Sequence, residues 1–77
     1  LTGERRRELV KIAKSEIEIA KISVRNSRKE ANNDIKKLEV SLDQKSLSEG
    51  DIQNLTNKYI TQIDKIYSIK EKEILSV

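Results

Sequence analysis

Seventy-seven residues make at most one small domain, close to the lower limit for an independent core. Charged side chains form 38% of the chain and hydrophobic ones 35%, with no proline, tryptophan or phenylalanine, a mixture typical of long helices and coiled coils. The absence of cysteine and histidine removes disulfides, thiol nucleophiles, thiolate metal sites and the commonest general base.

Net charge is +3, unevenly spread: residues 1–42 carry eleven Lys or Arg against seven acids, and residues 43–77 carry five against six. The positive character therefore belongs to the first half.

Thr2 is a helix N-cap, with Glu4 placed to favour the positive end of the helix dipole. Nothing breaks the pattern that follows until about Leu42, so a first helix is expected over about residues 3–42. An apolar column at seven-residue spacing, Val10, Ile17, Val24, Ala31 and Leu38, marks its packing side. Leu9, Ala13, Ala20, Ile35 and Leu42 widen it, and Ile12 and Ile19 sit on a flank.

Beside that column runs a second one. Arg7, Lys11, Lys14, Lys21, Arg25, Arg28 and Lys36 follow a register of three- and four-residue steps, interrupted only by Glu18 and Asn32. On one helix they share a face, because positions three and four apart are neighbours. One stripe would pack against protein, and the other would meet something negatively charged.

A turn is expected at about residues 43–48. Ser48 then reads as the N-cap of a second helix over about 49–76, with Asp51 three residues on and Leu47 and Ile52 spaced as a hydrophobic staple. Gly50 falls in its first turn. The stripe of this helix runs through Ile52, Leu55, Tyr59, Ile63 and Ile66 to Ile74, widened by Ile60 and Tyr67. The chain is thus expected to be all-α, a long antiparallel hairpin forming one partial helical bundle domain over residues 1–77. Unequal helix lengths would leave the Leu9–Ala13 end of the first helix beyond reach of the second. Both stripes are wider than a two-helix seam requires, so the hairpin should seek at least one more helix.

No catalytic constellation is present, and the chain is not expected to be an enzyme. The carboxylate pairs Glu16 with Glu18 and Glu71 with Glu73 lie two apart and point to different sides of a helix. The two glycines stand alone, so there is no phosphate-cradling loop; no metal or cofactor is expected. No apolar run approaches the roughly 18 residues a membrane span needs. The basic ridge is the functional candidate. Without interleaved aromatics it would read phosphate backbone and groove shape rather than base identity. The competing reading is a coiled-coil protein–protein interaction module whose charged face is merely solvated.

The stretch Val24-Arg25-Asn26-Ser27-Arg28-Lys29-Glu30-Ala31-Asn32 resembles the bundle domain of the ribosome recycling factor family, which reads V-R-N, a basic pair, an acid and A-N here. Leu1-Thr2-Gly3-Glu4-Arg5-Arg6 resembles the family's L-T-E-E-R-R entry into its long helix. Leu55-Thr56-Asn57-Lys58-Tyr59-Ile60 with Ile63-Asp64 resembles L-T-D-K-Y-I and I-D, and Lys70-Glu71-Lys72-Glu73-Ile74-Leu75 resembles a C-terminal K-E-K-E-I-L. Four matches in the right order cover nearly the whole chain.

The resemblance implies a three-helix bundle of which these are two helices, with the long helix lying along large-subunit ribosomal RNA. It implies RNA contacts for the ridge arginines, with Arg25 on the motif arginine and Arg28 and Lys29 on the basic pair. Together with the ridge itself, the expected RNA-binding set is Arg7, Lys11, Lys14, Lys21, Arg25, Arg28, Lys29 and Lys36. Lys21 stands where the family often has arginine. The resemblance further implies action with elongation factor G in splitting ribosomes after termination, in bacterial cytoplasm or in a plastid or mitochondrion. The family's N-terminal helix and small β domain precede the L-T-E-E-R-R stretch and are not in this sequence, and the connection between helices looks about one turn shorter. Without that helix, self-association is expected, most simply as a symmetric homodimer.

Overall fold

A computed structural model describes residues 2–76; Leu1, which opens the first resemblance motif, and Val77 lie outside it. Two α-helices account for the fold, α1 over Gly3–Lys36 and α2 over Leu42–Leu75, packed against each other as an antiparallel hairpin. The all-α expectation holds. Thr2 caps α1: its side-chain oxygen accepts from the Arg5 amide at 3.1 Å. The helix then runs unbroken through Ser23–Ser27, where the Ser27 hydroxyl donates to the Ser23 carbonyl at 3.1 Å.

The turn lies upstream of its expected place, and both helix boundaries beside it are corrected. α1 ends at Lys36 rather than at about Leu42, and the bend occupies residues 37–41 rather than 43–48. Ser41, not Ser48, caps α2: its hydroxyl oxygen accepts from the Gln44 amide at 3.1 Å. Ser41-x-x-Gln44 has the spacing of a capping box. Lys45 also reaches back to donate to the Lys36 carbonyl at 3.0 Å, meeting one of the carbonyls that a helix end leaves unpaired. Ser48 and Gly50 consequently sit inside α2.

Because both helices contain 34 residues, α2 is not the shorter partner. Leu9, Val10 and Ala13 at the start of α1 are half-buried, as are Glu71 and Ile74 near the end of α2. The expected overhang of the Leu9–Ala13 end does not occur.

The seam is thin. On α1 the half-buried positions Val10, Ala13, Ile17, Ala20, Val24, Ala31 and Ile35 follow the three-four spacing of a packing stripe. On α2 they are Ile52, Ile60, Ile63, Tyr67 and Ile74, with Thr56 buried at 8% exposure. The Thr56 hydroxyl donates to the Ile52 carbonyl at 2.8 Å, which satisfies it without leaving its own helix.

No hydrophobic residue among those described is fully buried. The accessible surface is 6146 Å², against about 4,800 Å² for a compact monomer of this mass. A rod of 59 × 15 × 8 Å leaves one side of each helix uncovered.

Leu38, Leu55, Tyr59 and Ile66, expected to pack between helices, are all exposed. Leu38 falls in the bend. The other three lie on the flank of α2, whose apolar arc is wider than the single neighbour it meets.

Candidate nucleic-acid interface

At about 100° per residue, Arg7, Lys11, Lys14, Lys21, Arg25, Arg28, Lys29 and Lys36 occupy an arc of about 100° on α1. All lie to the same rotational side of the Val24 seam position. Arg7 to Lys36 spans about 44 Å of helix axis. Arg7, Lys11, Lys14, Arg25, Lys29 and Lys36 are exposed, whereas Lys21 and Arg28, nearest the seam, are half-buried.

Lys21 is held differently from the rest. Its ammonium forms an ion pair with Asp64 of α2, with side-chain exposures of 16% and 54%. Among the described residues the other ion pairs, Arg5–Glu8 at 3.3 Å and Lys70–Glu73 at 3.5 Å, lie within single helices and on exposed surface. Of the eight ridge cations, only Lys21 is in an ion pair with another described residue. Asp64 is the residue that sequence reasoning passed over. It stands in the Ile63-Asp64 motif, but which α1 side chain it meets depends on where the chain turns.

A second feature opens on the hairpin. Val24, Ser27, Arg28 and Ala31 of α1 and Ile52, Leu55, Thr56 and Tyr59 of α2 line a largely apolar groove of about 410 Å³. Leu55 and Tyr59 step off the α2 seam in the sense opposite to Asp64, so the groove lies across the hairpin from the Lys21–Asp64 side. Arg28 is the one ridge residue that also lines the groove.

Tyr67 and Glu71 complete the polar fittings of α2. The Tyr67 hydroxyl donates to a Glu71 carboxylate oxygen at 2.9 Å. That hydrogen bond, followed by desolvation and the nearby negative charge, raises the Tyr67 pKa above its usual value. Among the described residues no group of three or more acids is placed to hold a metal ion, and no helix is long and apolar enough to cross a membrane.

The model of the family described as "Ribosome recycling factor" matches residues 1–75. The chain belongs to the ribosome recycling factor family. A ribosome-recycling factor of Flavobacterium johnsoniae is 56% identical over 80 aligned residues, covering all of this chain and 43% of that protein. One from Christiangramia forsetii is 52% identical over 77 residues, covering all of this chain and 42% of the relative. A Burkholderia cenocepacia relative is 48% identical over 81 residues, with 44% of its length covered. The chain thus spans less than half the length of these ribosome-recycling factors. No solved structure matches it significantly.

Proposed function

We propose that this hairpin is the ribosome-binding helical part of a ribosome recycling factor, and that α1 lies along large-subunit ribosomal RNA. The observation that carries the reading is the one-sided arc of exposed cations, Arg7, Lys11, Lys14, Arg25, Lys29 and Lys36. They take no part in an ion pair among the described residues. Such an arc offers donors to phosphates without reading bases. Arg25 provides a planar fork where the lysines provide point charges. Ribosome splitting with elongation factor G is assigned to a chain of the relatives' full length, and the hairpin's share is binding rather than catalysis. The location follows the ribosome it serves: cytoplasm for a bacterial parent, plastid or mitochondrion otherwise.

Salt titration of binding to large ribosomal subunits tests this. Each phosphate contact should contribute about 0.7–0.9 to the fall of log affinity with log salt, so six contacts give a slope of about 4–5. A slope near zero would assign the chain to the coiled-coil interaction class with a merely solvated face.

For the isolated 77-residue chain we further propose a homodimer that covers the apolar groove and completes a four-helix bundle. The excess of about 1,300 Å² over a compact monomer of this size exceeds the about 800 Å² that one partner covers in a standard interface. Leu55, Tyr59 and Ile66 supply the exposed apolar side chains. Sedimentation at tens of micromolar showing only monomer would refute the dimer.

A further inference from the structure

We propose that Lys21 is a positioning residue, held by Asp64 so that the neighbouring cations face RNA, and that it makes no phosphate contact itself. This rests on the phosphate-binding reading of the ridge. Lys21 lies in the middle of the ridge, one turn before Arg25 and two turns after Lys14. Fixing its side chain against α2 therefore fixes the rotation of α1 about its own axis, and with it the direction of both neighbours.

The seam provides little else to set that rotation. No apolar residue of the described chain is fully buried. Val10, Ile17, Val24 and Ile35 are only half-buried on the α1 seam, and the small Ala13, Ala20 and Ala31 between them offer shallow features for α2 to grip. Lys21–Asp64 is the one ion pair between the helices among the described residues.

Electrostatics argue the same way. A phosphate approaching Lys21 would meet the half-exposed Asp64 carboxylate, and like charges at that distance repel. The nucleic-acid backbone is therefore directed to Lys14 and Arg25, on either side. The Lys21 side chain as a whole is 16% exposed, and its ammonium already has the Asp64 carboxylate as a partner.

The test compares the whole 77-residue chain with Lys21→Gln, Asp64→Asn and the double variant, in salt titrations against large ribosomal subunits, with amide hydrogen exchange across Ile17–Arg28. Each single variant should weaken binding about threefold to tenfold, leave the salt slope unchanged and speed exchange. The double variant should be no worse than either single one, because one interaction is lost in all three. Lys21→Arg, which keeps the pair, should bind with the wild-type slope.

A slope reduced by about 0.7–0.9 in Lys21→Gln, or tighter binding by Asp64→Asn, would make Lys21 a phosphate contact and overturn the proposal. Should a single variant lose its helicity, the exchanged pair Lys21→Asp/Asp64→Lys decides. Restored helicity and affinity support the positioning role, and restored helicity without affinity removes it. A wild-type chain with no salt slope would instead sink the ridge reading, an outcome separate from any difference between variants.

Discussion

The Lys45 ammonium donates to the Lys36 carbonyl oxygen at 3.0 Å, across the bend that joins the two helices. A cation on the last turn of a helix meets both an unpaired carbonyl and the negative end of the helix dipole. Replacing Lys45 by Met keeps the aliphatic stem and removes the donor. The expected cost is about 0.3–1 kcal/mol, read as a lower thermal midpoint that narrows toward wild type as salt rises. An unchanged midpoint at low salt would show that the bond contributes nothing to the bend.

Gly50 lies well inside α2, and a Cβ built there meets nothing within 4 Å. Its backbone does not adopt positive φ, so alanine fits without strain. Gly50→Ala should stabilise the hairpin by roughly 0.5–1 kcal/mol, by lowering the freedom of the unfolded chain and raising helix propensity. Thermal and urea melts at matched concentration measure this. Destabilisation would mean that the outer face of α2 touches something in solution.

Tyr67 couples the fold to alkaline pH. Its pKa is raised in the folded chain by the hydrogen bond to Glu71, so the folded state holds this proton more tightly than the unfolded one. The associated stability is complete below the ordinary tyrosine value of about 10 and is lost as pH rises through the raised folded value. Wild type should lose helicity more steeply than Tyr67→Phe on titration upward from about pH 10. The lysines titrate in both proteins, so the difference between the curves isolates Tyr67. Superimposable curves would show that the bond does not persist in solution.

Arg25 is exposed, next in sequence to the seam residue Val24, and in no ion pair among the described residues. Arg25→Ala should weaken large-subunit binding about tenfold, roughly 1.4 kcal/mol. The salt slope should fall by about 0.7–0.9. Circular dichroism should be unchanged. Loss of helicity would make Arg25 a structural residue.

Much of α1 was legible because its signals agree. Thr2 caps it, Val10, Ile17 and Val24 repeat on one side, and the cations repeat beside them. The position of the bend was not. Leu38 and Leu42 continue the apolar spacing past the true end, and Ser41 and Ser48 both stand three residues before a capping partner, Gln44 or Asp51. What distinguishes them in the folded chain is the Lys45 reach to Lys36, a contact across the turn that no local pattern displays.

The rotation of α2 was hidden for a related reason. Its apolar residues surround more than half the helix, so Leu55, Tyr59 and Ile66 were as eligible for the seam as Ile60 and Tyr67. The most buried position proved to be a threonine, whose polarity disguised it. Asp64 shared that obscurity, since its partnership with Lys21 requires both helices to be placed first.

The equal lengths of the helices have a mechanical consequence. Thr2 and Ser76 come together at one tip, and the bend forms the other, about 50 Å away at 1.5 Å per residue. Any additional polypeptide joined to either terminus must leave from the first tip. The loop tip stays unencumbered, free to slide into a narrow space ahead of whatever the other end carries.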